Sequence, residues 1–297
     1  MIQNKPLVTI VVISYNQGKY IRENLDSIKN QTYPNIELIV GDDASPDNSV
    51  EVFENWLKEN NYPTTYKNYH TKNTGLATML NECIEKANGK YIKLIAADDF
   101  LHPEAIEKCV EKLESLGENY GMVFTDTFAI NDHSNIIAEI ADYNSLGSIS
   151  PLEFRAKLID GNKIAALTVL MRTDVVKETG KYDSKFIVED YYRWLKISEK
   201  YYIAYIPEKL AFYRQHDTNI SKTKAERIAT EDFLLRMMFD KEGVYQKYIN
   251  TKIYKEYIEN KLSSEIRNAF LNYPYKSKRL YLALKYRIPS FIYKLIL

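Results

Sequence analysis

The chain has 297 residues, 45% of them apolar and 27% charged, which is the composition of an ordinary soluble protein with one large α/β domain or a domain and an appendage. Its formal charge is zero, so no overall field argues for nucleic-acid binding. It has no run of about 18 uncharged apolar residues and no charged leader with a cleavage site, so neither a membrane span nor a secretory signal is predicted.

The first 127 residues alternate predicted strands with predicted helices. A continuous β-branched run at 7–14 is typical of a parallel strand that is buried on both faces. Ser45 and Pro46 have the residue types of an N-cap and a first helical position. This alternation predicts a mostly parallel sheet with helices on both faces. The predicted strands are 7–14, 36–42, 64–70, 91–97 and 120–127, and the predicted helices are 15–31, 45–60, 75–88 and 102–116.

The remaining sequence is less regular and then becomes helical. Three short strands and one helix are predicted within residues 128–222, which indicates a second half that completes a cleft. From Lys224 onward the pattern is that of helices. These predicted strands are 166–172, 202–207 and 209–216, and the predicted helix is 189–200.

Polar clusters follow three strands of the predicted parallel sheet, with the letters SYN, DDAS and ADD. Ligands bind beyond the carboxyl ends of such strands, so we expect these clusters to meet at one edge. Asp43 in the second cluster could cap the next helix, or it could accept hydrogen bonds from a ribose or a base N–H. The GxGxxG fingerprint of dinucleotide-binding domains is absent.

The pair Asp98 and Asp99 ends the fourth predicted strand. It could form a turn before the next helix. It also supplies the carboxylates with which Mg²⁺ or Mn²⁺ binds a diphosphate, and the ion would offset the repulsion between the two acids.

Two later segments add candidate groups. Glu189 and Asp190 could interact with a helix dipole, or a carboxylate there could be a general base that accepts the proton of an acceptor hydroxyl. Arg214 and His216 alternate along a predicted strand and therefore share a face, which suits a diphosphate and its metal ion.

Together these segments resemble an inverting glycosyltransferase of family 2 with the GT-A fold. The resemblance covers residues 5–222 and is most specific near the N-terminus. It implies a Rossmann-like GT-A domain at 1–222, with a nucleotide-sugar-binding half at 1–127 and an acceptor-binding half at 128–222, and a helical extension at 223–297. The segments that carry it are 6–49, 73–106 with the DXD-type acids, 186–198 and 210–221.

The resemblance also implies roles for individual residues. Ile13 (through its backbone) and Tyr15 would line the nucleotide, and Asp190 would be the catalytic base. Binding of the nucleotide sugar would involve Ile13, Tyr15, Asp43 at the base, Asp98 at the ribose or ion and Arg214 at the diphosphate, and the metal ligands would be Asp99 and His216.

The sequence departs from the family pattern at three points. Ala96 stands where many relatives have an acid, which leaves the metal site to Asp98 and Asp99. Leu80 replaces a basic residue, so one nucleotide contact is in doubt. The QxxRW motif of processive members is missing, so we expect one sugar to be transferred per acceptor.

The implied activity is transfer of a hexosyl or N-acetylhexosaminyl group from a UDP-sugar, with Mn²⁺ or Mg²⁺. The expected acceptor is a saccharide or a polyprenol-linked oligosaccharide in surface polysaccharide synthesis. Two alternatives are a non-catalytic nucleotide-sugar-binding protein and a nucleotidyltransferase. The latter would have a Gly-rich basic loop after the first strand, where this chain has only Gly18 and Lys19.

The C-terminus and the cysteines bear on location. No acid follows Glu265, and the seven cations beyond it make a basic tail that could pack on the core or lie on anionic lipid at the inner face of the plasma membrane. Cys83 and Cys109 have no CxxC spacing, which favours a reducing cytoplasm over a disulfide framework or zinc site. The tail cations are Arg267, Lys276, Lys278, Arg279, Lys285, Arg287 and Lys294.

Overall fold

The computed structural model describes residues 5–140, 149–217 and 219–296. Residues 141–148, which belong to the predicted acceptor-binding half, therefore lie outside the described residues. The chain divides into two compact units. The first comprises Met1–Lys157 and Lys163–Thr223, and the second comprises Leu158–Asn162 and Lys224–Leu297.

The first unit contains one sheet, to which nine strands of the described residues belong. They are β1 (Val8–Ser14), β2 (Ile36–Asp42), β3 (Thr64–Tyr69), β4 (Tyr91–Ala96), β5 (Phe100–Leu101), β6 (Tyr120–Ile130), β7 (Ile136–Ile140), β8 (Leu170–Arg172) and β9 (Tyr202–Arg214). Across the sheet the order is β3-β2-β1-β4-β8-β6-β9-β5, and β7 pairs with β6.

Helices follow most of these strands. The helices up to residue 223 are α1 (Ile21–Lys29), α2 (Ser49–Asn60), α3 (Leu76–Glu85), α4 (Ala105–Leu116), α5 (Pro151–Ile159), α6 (Thr173–Glu178), α7 (Glu189–Ser198) and α8 (Ile220–Thr223). A 3₁₀ turn, Ala166–Thr168, precedes β8.

The parallel part of the sheet has the buried strands that the sequence predicts. β1 pairs in parallel with β2 and β4, and β2 pairs in parallel with β3. Every residue of β1 is buried, because helices cover both faces of the sheet and a β-branched run packs against both. In α1, Ile21, Leu25 and Ile28 recur at helical spacing and are buried.

The predicted α/β fold class is confirmed, and the later strands add antiparallel pairings to it. β8 is antiparallel to β4 and β6, whereas β9 is parallel to β6. β9 is one strand where two short ones were predicted. Pro207 lies at a shift of register between Ile206 and Lys209, so the pairing with β6 resumes after the proline.

The predicted start of the second helix is wrong. α2 begins at Ser49, not at Pro46. Ser45 instead closes the turn after β2, because its N–H donates to Asp42 Oδ1 at 2.8 Å and its hydroxyl donates to Asp42 Oδ2 at 2.5 Å. At the helix start, Asp47 Oδ1 accepts from the N–H of Ser49 at 3.0 Å.

The second unit contains the helices that the sequence predicts after Lys224. They are α9 (Ala225–Phe239), α10 (Gln246–Ile258), α11 (Ser264–Asn272), α12 (Lys278–Lys285) and α13 (Ser290–Ile296). Its apolar cluster includes Phe233, Ile249, Ile253, Phe270 and Leu284. These helices therefore have a core of their own.

Candidate active site

The carboxyl ends of β1, β2 and β4 lie side by side. In the register of the sheet, Ser14 is opposite Asp42, and Ile13 is opposite Ala96. The polar segments that follow these strands therefore begin at one edge, as the sequence predicts. The β1–α1 segment is tied to the β2–α2 segment, since the N–H of Asn16 donates to Ser45 Oγ at 2.9 Å and that of Gly18 donates to Asp47 Oδ2 at 2.9 Å.

Asp43 is a buried carboxylate with several protein donors around it. Its Oδ1 accepts from the N–H of Thr74 at 2.8 Å and lies 3.0 Å from His70 Nδ1. Its Oδ2 accepts from the N–H of Gly75 at 2.7 Å. Burial raises the pKa of Asp43, but the hydrogen bonds from Thr74, Gly75 and His70 outweigh it, so the net pKa lies below the ordinary value.

The acid pair lies after β4, and its two members have different surroundings. Asp98 Oδ2 is 3.0 Å from His216 Nε2, so the predicted acid and imidazole meet. Asp99 is buried, and its Oδ1 accepts from the backbone N–H of Arg214 at 2.8 Å. Burial and the charge of Asp98 raise the pKa of Asp99 well above its usual range.

Arg214 spans the region between the acid pair and α1. Its side chain is 1% exposed. Nε donates to the carbonyl oxygen of Asp98 and Nη1 to that of Asn131, both at 2.8 Å. Nη2 donates to Glu23 and Ser134. Contact of Arg214 with a diphosphate stays a prediction, and this geometry favours a structural role because most of its donors already have protein acceptors.

Asp190 lies in the first turn of α7, where it is half-buried and accepts from the N–H of Tyr191 at 2.6 Å. Tyr213 connects it electrostatically to the acid pair. Burial raises the pKa of Tyr213, and the charges of Asp99, Asp98 and Asp190 raise it further against a hydrogen bond with Ser221. The charges of Asp98, Asp99 and Asp190 thus act on the same hydroxyl group.

The predicted metal ligands form a small donor set. Among the described residues, no group of three or more His, Cys, Asp or Glu side chains has the geometry of a complete metal site. Mg²⁺ and Mn²⁺ use one or two carboxylates and complete their coordination with phosphate oxygens and water. Asp98 with His216, next to the carboxyl of Asp99, fits such a partial site.

The other singled-out positions differ in exposure. Tyr15 is 52% exposed at the edge of the sheet, and the carbonyl of Ile13 accepts from the N–H of Ala97 at 2.9 Å. Leu80, at the departure from the family pattern, is buried. The Arg193–Trp194 pair of α7 is also buried, with the guanidinium 4.1 Å from the centre of the Tyr182 ring.

Sequence reasoning missed three groups of this region. Lys93 is buried in β4 and donates to the carbonyl of Leu167, and burial lowers its pKa to about 8 although the charges of Cys109 and Asp99 oppose that. Glu23 is the carboxylate partner of Arg214. The ring of Tyr20 packs against the guanidinium of Arg214, with 4.5 Å between the ring centre and Cζ of Arg214. Lys93, a cation within an apolar strand, was the one with a visible signal in the sequence.

Comparison with known families decides the family membership. Residues 9–162, more than half of the chain, match the model described as Glycosyl transferase family 2. The chain belongs to this family. The predicted resemblance is therefore confirmed.

Other family members and solved structures extend the match beyond residue 162. An uncharacterised glycosyltransferase of Haemophilus influenzae is 29% identical over 289 residues, which are 93% of this chain and 87% of that protein. The structure of S. aureus TarS 1–349 in complex with UDP has a TM-score of 0.66 at 16% identity and covers 97% of this chain and 88% of TarS 1–349.

A second solved structure is that of a mannosyltransferase from Pyrobaculum calidifontis in complex with GDP-Man and Mn²⁺. Its TM-score is 0.57 at 16% identity, over 99% of this chain and 75% of the mannosyltransferase. At these identities the likenesses show the fold alone, which is that of the GT-A glycosyltransferases. Within the described residues, no helix has both the length and the hydropathy needed to cross a bilayer.

Proposed function

We propose that this glycosyltransferase moves one hexosyl or N-acetylhexosaminyl unit per turnover from a UDP-sugar to a saccharide or polyprenol-linked acceptor, with inversion at the anomeric carbon. The observation that carries the proposal is the meeting of Asp98 Oδ2 and His216 Nε2 at 3.0 Å, beside Asp99, at the edge of the sheet where Asp43 follows β2. The charges of Asp98, Asp99 and Asp190 also all raise the pKa of Tyr213, which supports a place for Asp190 near the acid pair. These residues could bind a donor diphosphate and accept the proton of an acceptor hydroxyl.

The hydrogen bonds of Asp43 support uracil as the base. Its Oδ1 is occupied by Thr74 and His70, and Oδ2 accepts one bond from Gly75. One lone pair on Oδ2 is left, which fits the single ring N–H of uracil. Guanine would present two adjacent N–H groups to a carboxylate and needs both oxygens. UDP and UDP-GlcNAc are the ligands in two TarS structures.

A divalent ion would be held by Asp98, Asp99 and His216, with Asp98 also within reach of the ribose. When bound, the ion would neutralise charge on the diphosphate as it departs. Mn²⁺ is the ion in the mannosyltransferase structure. Arg214 would contribute by fixing the backbone of the acid pair, in addition to any direct contact with the diphosphate.

Asp190 would act as the general base. It would accept the proton of the acceptor hydroxyl while that oxygen forms a bond to the anomeric carbon from the face opposite the diphosphate. The bond from the anomeric carbon to the phosphate oxygen breaks, and UDP leaves with the electron pair. Attack from the opposite face inverts the anomeric configuration.

The second unit offers a surface for a lipid-linked acceptor at the inner face of the plasma membrane. Tyr286 is 68% and Phe291 65% exposed, and cations of α12 and the residues after it are exposed around them. Such a mixture suits the interface of an anionic membrane. We define the tail surface as Lys278, Arg279, Leu282, Lys285, Tyr286, Arg287, Phe291 and Lys294.

The test is transfer and hydrolysis of a panel of nucleotide sugars by the full chain. Turnover should require a divalent ion, be lost with EDTA and return with Mn²⁺. Asp190→Asn keeps the acceptor oxygen for the N–H of Tyr191, so it should fold and bind UDP normally but lose about 10²–10⁴-fold in transfer rate.

Glu118→Gln is the matched control, because Glu118 is an exposed acid in the loop after α4. It should leave the transfer rate unchanged. Near-normal transfer by Asp190→Asn would exclude Asp190 as the base. Binding of UDP-sugars without any turnover, by the unaltered chain and with every ion, would instead favour the non-catalytic binding protein.

A further inference from the structure

His70 lies between two carboxylates beside the proposed base-binding residue. Its Nδ1 is 3.0 Å from Asp43 Oδ1, and its Nε2 is 2.7 Å from Glu82 Oε2. The His70 side chain is 13% exposed. A neutral imidazole has only one N–H, so both bonds can be donated only when both ring nitrogens carry a proton.

We propose that His70 is a positioning residue for the donor nucleotide: its imidazolium, held by Glu82, fixes the Asp43 carboxylate and the 70–75 turn in the arrangement that binds the base. This inference rests on the proposed role of Asp43 as the acceptor for the base N–H. Loss of the second imidazole proton weakens nucleotide binding without removing any residue that touches the nucleotide.

The coupling from His70 to the base runs through a closed set of hydrogen bonds. Thr74 Oγ1 lies 3.1 Å from Asp43 Oδ1 and 3.0 Å from His70 Nδ1, and the N–H groups of Thr74 and Gly75 donate to the two oxygens of Asp43. A neutral His70 would present a ring lone pair to one of the two carboxylates. That repulsion would move either Asp43 or the turn that orients it.

The charged groups around His70 determine whether its pKa is raised or lowered. Asp43 follows β2, and Glu82 lies in α3. Asn68 of β3 donates through Nδ2 to Glu82 Oε2 at 2.8 Å. Asp42 directs its carboxylate to Ser45 instead. Lys72, on the same turn as His70, is exposed.

Burial lowers the pKa of His70, but the bonds with Glu82 and Asp43 outweigh burial and raise the net pKa above its ordinary value. A group with a raised pKa contributes fully below its unfolded-state pKa, and the contribution is lost as the pH rises through the folded-state pKa. Nucleotide affinity should therefore fall as the pH rises through the raised pKa of His70.

The experiment measures UDP affinity by calorimetry at saturating Mg²⁺, for the full chain and for His70→Asn, from about pH 5.5 to about pH 8.5. The metal site and the ligand are the same for both proteins, so the ratio of their UDP affinities reports the contribution of His70 alone. His70→Asn removes a hydrogen bond from a charged donor to Asp43. We therefore expect the unaltered chain to bind UDP roughly tenfold more tightly than His70→Asn at the lowest pH, and about equally at the highest pH.

Two further variants keep the test clear. His133→Asn, an exposed histidine on the β6–β7 turn, should behave as the unaltered chain at every pH. Glu82→Gln keeps His70 but removes one of its partners, so the fall in affinity should move to lower pH. In NMR titrations, the imidazole signals of His70 should titrate at higher pH in the unaltered chain than in Glu82→Gln.

The outcomes separate the inference from the proposed function. A UDP affinity ratio that does not change with pH, or an NMR midpoint for His70 that Glu82→Gln leaves unchanged, would overturn the role of His70 and leave the UDP-sugar proposal standing. Absence of UDP binding by the unaltered chain at every pH would overturn the proposed function and this inference with it.

Discussion

Arg214 is a buried side chain whose hydrogen bonds join the acid pair to other parts of the chain. Its backbone N–H donates to the side chain of Asp99, and its Nε donates to the carbonyl of Asp98. The guanidinium also contacts Glu23 of α1 and Asn131 after β6. Three parts of the chain are therefore held around the acid pair by a single residue.

Arg214→Lys should destabilise the protein far more than a matched surface change. Lysine cannot reproduce the forked donors, so buried carbonyls lose partners and the free energy of unfolding should fall by about 2–4 kcal/mol. The control is Arg22→Lys, where the arginine pairs with Glu59 and both side chains are about half exposed. That exposed pair should contribute at most about 1 kcal/mol.

The measurement is urea unfolding of both variants with the slopes compared. Equal losses in Arg214→Lys and Arg22→Lys would contradict the structural role of Arg214. If Arg214→Lys instead lost UDP-sugar affinity with unchanged stability, Arg214 would be assigned to binding of the diphosphate.

At this scale the acids and His216, the partner of Asp98, could be predicted, but other groups around them could not. Asp43, Asp98 and Asp99 follow apolar strands, and that position is visible in sequence because carboxyl ends of parallel strands share an edge. No comparable sequence pattern indicates the importance of Glu23 or Tyr213. Their importance depends on contacts across more than 100 residues, such as the 191 positions between Glu23 and Arg214.

Among the elements, the junction of α3 and β4 brings backbone atoms of two strands close to Gly89. A Cβ at Gly89 would lie 2.5 Å from the backbone N of Thr9 and 2.7 Å from the carbonyl oxygen of Tyr91. Both atoms belong to paired strands and cannot move away without breaking the sheet register. Gly89 is therefore required for close approach.

Gly89→Ala should lower the free energy of unfolding by about 2–3 kcal/mol, at the upper end of what overpacking costs. Gly41→Ala is the matched comparison. Its Cβ would lie nearest to the far ends of two flexible side chains, Ile13 Cδ1 at 2.9 Å and Met79 Sδ at 3.0 Å, which can shift. Urea unfolding should give a clearly smaller loss for Gly41→Ala, and the reverse order would contradict this account.

The elements of the first half were predictable because each strand and helix repeats its own hydrophobic period. The second half was harder. β8 has three residues, too few for a period to appear. The continuity of β9 through Pro207 depends on its pairing with β6, which no local pattern contains.

At the scale of the whole molecule, the asymmetric charge is the feature to test. The cations beyond Glu265 give this tail a charge of +7, balanced by −7 in the rest of the chain. In α12, Leu280, Ala283 and Leu284 are buried in the core of the second unit, so one face of this helix packs among the other helices of that unit. Its other face carries cations and Tyr286.

The tail surface should bind anionic vesicles and not neutral ones. Each cation near an anionic surface contributes about 1 kcal/mol, so changing Lys278, Arg279, Lys285 and Arg287 to Gln should weaken binding at least roughly a hundredfold. Co-sedimentation with phosphatidylglycerol and with phosphatidylcholine vesicles measures this.

The control changes four exposed lysines of the first unit, Lys29, Lys58, Lys86 and Lys157, to Gln. It alters the net charge equally but leaves the tail surface intact, so vesicle binding should persist. Equal binding by the two fourfold variants would show that the tail surface has no special role in contact with lipid.

The bond between Arg214 and Asp99 also has a consequence for synthesis on the ribosome. These residues are 115 positions apart, and His216, the partner of Asp98, follows Arg214, so the acid pair acquires these two partners only when β9 and the residues just after it have been translated. A nascent chain that ends after β4 would present two adjacent carboxylates without that support. We therefore expect the donor site to mature late, after both halves of the sheet have emerged, and long-range pairing of this kind to slow its folding.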